Sequence, residues 1–185
     1  QGFSRRAELG KLIQGDMAAF EEAQKPKEEV VEEKTEEETA KVLWRGKAKN
    51  ALYSVNATPF VEGEMIYGVD CQSGALIGAQ LADGKRLWST NRPTSGTERR
   101  ERQATAFLVK HKDRFFLFSE TGDLILARLT PSGYDELGRF HVLEPTGECF
   151  GREVVWNHPA FAERCMFVCN DKELVCVDLS QKSSD

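Results

Sequence analysis

A unit of about fifty residues recurs in this chain, and no other feature restricts its fold as tightly. Thr58-Pro59-Phe60, Thr105-Ala106-Phe107 and Asn157-His158-Pro159 each open an apolar run. A second run follows each of them: Met65-Ile66-Tyr67-Gly68, Arg114-Phe115-Phe116-Leu117-Phe118 and Cys165-Met166-Phe167-Val168. After a turn comes a third: Ala75-Leu76-Ile77-Gly78, Asp123-Leu124-Ile125-Leu126 and Glu173-Leu174-Val175-Cys176. Leu76 and Leu124 are 48 residues apart, and Leu124 and Leu174 are 50 apart. That period predicts radially repeated four-stranded sheets rather than helical solenoids.

Turn chemistry agrees. Gly63, Gly74, Gly84, Gly122 and Gly133 fall between apolar runs, where a reversal calls for positive φ. The outer strand of a unit is predicted at Lys85-Arg86-Leu87-Trp88, and again at Lys41-Val42-Leu43-Trp44. Tyr134 to Phe140 takes that place in the next unit without a tryptophan, and the last unit runs out after Leu179 with three strands. Trp44 and Trp88 are expected to cover neighbouring sheets, since a large ring buries most area at a seam.

The fold class is therefore all-β: a partial β-propeller of about three four-stranded blades over 41–180, with an N-terminal helical and acidic segment. Residues 1–24 form the helical part, with Leu9, Leu12, Ile13, Met17 and Phe20 at helical spacing and Pro26 just beyond. Residues 25–40 read as a solvated acidic linker or insertion, because residues 25–39 hold seven glutamates and only two apolar residues. Residues 181–185 read as a disordered tail. Three blades cannot close a ring that needs at least about four, so the chain, which begins with Gln1, is expected to be a piece of a larger protein whose other blades are its first partners.

The net charge of −5 is confined to the first forty residues, and the remainder carries 19 acids and 19 bases. A neutral propeller has no field to attract nucleic acid. No apolar run of about 18 residues occurs, so no transmembrane segment is expected. Cys71, Cys149, Cys165, Cys169 and Cys176 show neither an even disulfide framework nor paired zinc knuckles, and read as small packing residues.

At these residues a family becomes recognisable. Asp83-Gly84-Lys85-Arg86-Leu87-Trp88, and more loosely Thr39-Ala40-Lys41-Val42-Leu43-Trp44, resembles the tryptophan-docking repeat of pyrroloquinoline-quinone (PQQ)-type β-propellers. Thr58-Pro59-Phe60, Ile66-Tyr67-Gly68, Glu144-Pro145-Thr146, Val155-Trp156-Asn157-His158-Pro159-Ala160 and Asn170-Asp171-Lys172-Glu173 look like the C-terminal blades of bacterial PQQ-binding-like, or quinoprotein-like, repeat proteins. The resemblance implies a ring of about seven or eight blades and export to the periplasm or cell envelope. It also implies two functional classes: protein-binding scaffolds without cofactor, and dehydrogenases holding the quinone and calcium.

No cofactor and no metal are predicted for these residues; PQQ with calcium belongs only to the alternative, a fragment of a quinoprotein dehydrogenase. Such enzymes carry vicinal cysteines, which this chain lacks. Its acids Asp70, Glu120, Asp123 and Asp171 read as solvated turn residues. No catalytic residue is assigned, since the nucleophile elbow, the phosphate loop and the zinc-protease motif are all missing. The ligand-binding candidates precede the inner strands and line one mouth of the ring: Asn56, Thr58, Arg102, Thr105, Trp156, Asn157 and His158. They offer donors, acceptors, an imidazole and a stacking surface for a protein or a small polar ligand, and a purely structural role is open for each. Arg92, Arg99, Arg100 and Arg102 form a cationic loop with Glu98 and Glu101 interleaved. The leading expectation is a non-catalytic binding scaffold.

Overall fold

The structure is a computed structural model that describes residues 40–47 and 49–180. The helical expectation for 1–24, all but the last residue of the acidic linker and the tail 181–185 lie outside the described residues. Thirteen strands and one short helix follow one another: β1 (Phe60–Glu62), β2 (Met65–Asp70), β3 (Ala75–Gln80), β4 (Arg86–Thr90), α1 (Arg92–Ser95), β5 (Ala106–His111), β6 (Arg114–Ser119), β7 (Asp123–Thr130), β8 (Gly133–His141), β9 (Gly147–Cys149), β10 (Arg152–Val154), β11 (Ala160–Ala162), β12 (Cys165–Cys169) and β13 (Leu174–Asp178).

They form two four-stranded sheets, β1-β2-β3-β4 and β5-β6-β7-β8, a three-stranded sheet β11-β12-β13 and a hairpin β9-β10. All neighbours are antiparallel meanders. This is the partial propeller the repeat predicts, and the five turn glycines all carry positive φ, between 56° and 155°. The repeat extends to irregularities. In the first sheet the register slips between Gly78 and Ala79, leaving Leu87 unpaired, and in the second it slips between Leu126 and Ala127, leaving Leu137 unpaired. A bulge at the same place in both outer strands bends them alike.

The second sheet lies between the other two, and period-two alternation divides its side chains. Ala106, Leu108, Phe115, Leu117, Ile125, Ala127 and Leu129 bury against Met65, Tyr67, Val69 and Leu76 of the first sheet. Their neighbours Phe107, Phe118 and Leu124 bury against Met166 and Val168 of the third. Aromatic edges lock the first seam, with Phe60 and Tyr67 both edge-on to Phe115 at 5.2 and 5.8 Å.

Trp88 lies over Gly78 directly across the strand pair, and its Nε1 donates to the carbonyl oxygen of Thr130 on the next sheet at 2.8 Å. A Cβ at Gly78 would stand 2.3 Å from the indole, so only glycine admits the ring there. Trp44 is keyed the same way: its Nε1 donates to the Leu81 carbonyl oxygen at 2.9 Å, and its ring covers Gly84, where a Cβ would stand 2.7 Å away. The segment carrying Trp44 is not a strand, contrary to the sequence expectation for Lys41–Trp44. No described strand lies beside it to pair its backbone, and Val42 and Leu43 are exposed. Side-chain docking alone does not make a ladder.

Three further departures stand out. The hairpin β9-β10 turns through Phe150 and Gly151 at φ 52° and 75°, the two positive values of a two-residue loop, although phenylalanine is not the usual residue there. Helix α1 begins with Pro93 in its first turn and ends on Gly96 in the left-handed region, a start and stop that Asn91-Arg92-Pro93 and Gly96 announce. The cysteines do not fill the core. All five are free and none is fully buried; Cys165, Cys169 and Cys176 share the face of the third sheet that points away from Met166 and Val168.

Phe115→Ala is expected to lower unfolding free energy by about 3–5 kcal/mol, since Phe115 is fully buried in the first seam. Phe150→Ala, at a 70 % exposed turn position, should change it by less than about 0.5 kcal/mol. Urea unfolding followed by tryptophan fluorescence measures both.

Candidate functional site

The loops that enter each inner strand and the turns between second and third strands meet at one end of the sheets, and there they bond to each other. Gln103 N donates to the Cys71 carbonyl oxygen at 2.8 Å, Val142 N to Gly122 O at 2.9 Å, and Asn170 Nδ2 to Glu144 O at 2.9 Å. One polar position recurs every fifty residues at the end of the second strand: Asp70, Glu120 and Asn170. Asp70 accepts from Tyr53 N at 3.2 Å and from Ser73 N and Oγ at 3.1 and 2.6 Å. Arg86 stands 3.4 Å from it and also donates to the Ala51 carbonyl oxygen. Asn170 Oδ1 accepts from Lys172 N and Glu173 N, both at 2.8 Å.

Glu120 also holds three donors, drawn from farther along the chain. Its Oε2 accepts from Thr105 N at 3.1 Å and from Trp156 Nε1 at 2.8 Å, and its Oε1 accepts from Arg152 Nε at 2.7 Å. Its backbone is bound as well, with Glu120 N donating to Thr105 O at 3.0 Å and Val155 N donating to Glu120 O at 2.8 Å. Asp70 and Glu120 are 1 % and 2 % exposed, so their reading as solvated turn residues is corrected. A buried carboxylate is tolerated because its lone pairs are filled. Asp123 opens β7 instead of lying in a turn, and binds Arg139 Nη1 and His141 Nδ1 at 2.9 and 2.8 Å. Only Asp171 is exposed, and it accepts weakly from Thr146 Oγ1 at 3.5 Å.

Three segments thus converge on Glu120: the loop before β5, the β9-β10 hairpin and the stretch that follows β10. Beside it opens a cavity of about 280 Å³ lined by Glu101, Arg102, Gln103, Phe150 and Arg152. Trp156 stands behind Phe150, ring centroids 6.4 Å apart. Of the residues singled out in the sequence, Arg102, Thr105 and Trp156 are brought together here. Thr105 is buried and contributes only its backbone.

The others are elsewhere. Asn56 and Thr58 are exposed on either side of Ala57, which packs into the seam with Phe107. Asn157 Nδ2 donates to Cys169 O at 2.8 Å, and His158 Nδ1 donates to Pro159 O at 2.9 Å, its ring edge-on to Phe107. In the cationic loop, Arg100 Nη2 donates to Gln72 O at 2.9 Å and Arg92 faces Glu98 at 3.7 Å.

Arg152 and Phe150 went unrecognised in the sequence. The only hint was polar and apolar alternation on both sides of Phe150-Gly151, too short to separate from loop.

Calcium takes six to eight oxygens. Asp70, Glu120 and Asp123 spend theirs on internal donors in separate places, and among the described residues no three His, Cys, Asp or Glu side chains gather into a metal cluster. Asp70, Glu120 and Asp123 do not fit a shared calcium site.

His141 carries the titration signature of this end of the chain. Its hydrogen bond to Asp123, and more weakly the nearby Glu144, hold the imidazole pKa above its ordinary value. A group whose folded pKa is raised contributes stability that is fully present below its unfolded value and lost as pH rises through the folded one. Stability from the Asp123–His141 pair should therefore decline from mildly acid to mildly alkaline pH, and His141→Gln should flatten that slope in thermal melts. Glu120→Leu should cost at most about 3–5 kcal/mol by stranding a partly buried guanidinium, and Glu120→Gln, which keeps an acceptor, about 1–3 kcal/mol, both read by urea titration.

Among known proteins, a family model described as outer membrane protein assembly factor BamB matches residues 33–184. No curated protein matches the chain. Among the described residues no helix is long and apolar enough to cross a membrane.

Proposed function

Because the chain belongs to the PQQ-like repeat family described as outer membrane protein assembly factor BamB, we propose that it is a non-catalytic propeller module of the cell envelope that presents its loop end to a protein partner. The observation that carries this reading is the convergence of three separate segments on Glu120. It places Arg152 beside Arg102 and Phe150 in the wall of one open cleft, with Trp156 behind Phe150, and spends the Glu120 carboxylate on internal donors.

Physical economy supports binding over chemistry. A rigid sheet scaffold with its polar turns mutually bonded positions loop residues at little entropic cost on association. An exposed phenylalanine beside arginine is the composition that interfaces enrich. The family's printed name concerns outer membrane protein assembly, and an envelope location is proposed on that basis.

Photocrosslinking in the native cells tests the reading. A photoreactive residue at Phe150 should give a discrete protein adduct, and one at Lys112, in the β5-β6 turn at the opposite end, should give none. Equal adducts at both ends, or none at either, would overturn it. So would oxidation of alcohols or sugars by the purified protein after addition of the quinone and calcium.

A further inference from the structure

In the wall of the cleft beside Glu120 one donor is unsatisfied. Arg152 gives Nε to Glu120 at 2.7 Å and brings Nη1 only to 4.0 Å from Glu101. Its Nη2 is buried with no partner among the described residues. Buried donors are nearly always paired, because an unpaired one forfeits its hydration for nothing. This nitrogen belongs to a residue lining the 280 Å³ cavity, whose wall also carries Arg102. Arg102 is exposed and enters none of the ion pairs of the described residues.

We infer that the cleft receives a single carboxylate, an aspartate or glutamate side chain of a partner polypeptide, which pairs with the exposed Arg102 guanidinium and, once the side chains covering it shift, with Arg152 Nη2. The inference rests on the loop end being a protein-binding surface and names the chemistry recognised there. Charge decides between anions. Arg102 and Arg152 are offset by Glu101 and Glu120, so the empty cleft is neutral in sum, and a dianionic phosphate would be repelled by two carboxylates it cannot escape. A monoanion with a planar fork suits the guanidinium geometry.

Size and shape agree. A cavity of 280 Å³ is below the usual range for a cofactor or drug-sized ligand and is ample for one side chain. Both walls hold a non-glycine residue at positive φ, Gln103 at 62° and Phe150 at 52°. They fix the course of the two loops that form the cleft, Phe150 through the tight β9-β10 hairpin turn. The Phe150 ring at the rim offers an apolar neighbour for the residue next to the acid.

The test is an NMR titration of the full chain with acetyl-Phe-Glu-amide, acetyl-Phe-Gln-amide and inorganic phosphate. The reporter is the Trp156 indole N–H, assigned with Trp156→Phe, because that group shares Glu120 with Arg152. The glutamate peptide should shift the resonance and bind at least about tenfold more tightly than the glutamine peptide, with phosphate weaker than the glutamate peptide. Arg102→Gln, at an exposed position, and Arg152→Lys, which keeps the charge facing Glu120, should each weaken the glutamate peptide several-fold. Equal binding of the two peptides, preference for phosphate, or indifference to both substitutions would overturn the inference. If the Phe150 crosslink persists while the peptides do not discriminate, the carboxylate assignment alone falls. If the crosslink is lost too, the binding-surface reading falls with it.

Discussion

Neither four-stranded sheet can hide its apolar side chains by itself. Tyr67, Val69 and Leu76 of the first sheet and Phe115, Leu117 and Ile125 of the second are each at most 2 % exposed only because the two faces meet. At roughly 1.5–3 kcal/mol for each large side chain removed from water, this seam and its counterpart against the third sheet supply the force that orders everything else. Trp88 then keys the first seam, its ring lying over Gly78 and its N–H bound across to Thr130. At the equivalent pair of the second sheet the sizes are reversed, with Leu126 opposite Gly138. The space over Gly138 is open, so the second sheet keeps the glycine but not the tryptophan lock.

The polar end of the sheets is subordinate to those seams. Stacking brings the loop entering one sheet against the turn of its neighbour, and buries the backbone groups of both. Those groups need partners. Asp70, Glu120 and Asn170 meet the need at one recurrent position, each in a different way. Glu120 goes furthest, drawing in Arg152 from a hairpin the other units do not have and Trp156 from the stretch after it. The candidate site is therefore a local elaboration of a structural position: an acid that closes a turn elsewhere becomes, with one added hairpin, the anchor of a cleft.

Much of the scaffold was legible in order along the chain. The inner, middle and third strands follow the apolar runs, the turn glycines have the φ values their places require, and the final unit has three strands. Lys41–Trp44 was misread because its pattern matches an outer strand, while a strand also needs a paired neighbour that pattern does not provide. Alternation put Cys165, Cys169 and Cys176 on one face without saying which, and it is the face that no other described sheet covers. Of the site, Arg102, Thr105 and Trp156 were recognisable from their position before inner strands. Glu120 was seen with the wrong environment, and Arg152 was not seen.

By itself the sequence determined the repeat period, the all-β class, the places of the turns and the absence of a charged field over the propeller, since all of these follow from local spacing and composition. Only the tertiary structure decided which carboxylates are buried, which loop residues share a cleft and which donor is left without a partner. The reason is that burial and hydrogen bonding at this end depend on segments thirty or more residues apart, Glu120 with Arg152 and Trp156, and their meeting is set by how sheets stack rather than by any pattern within one of them.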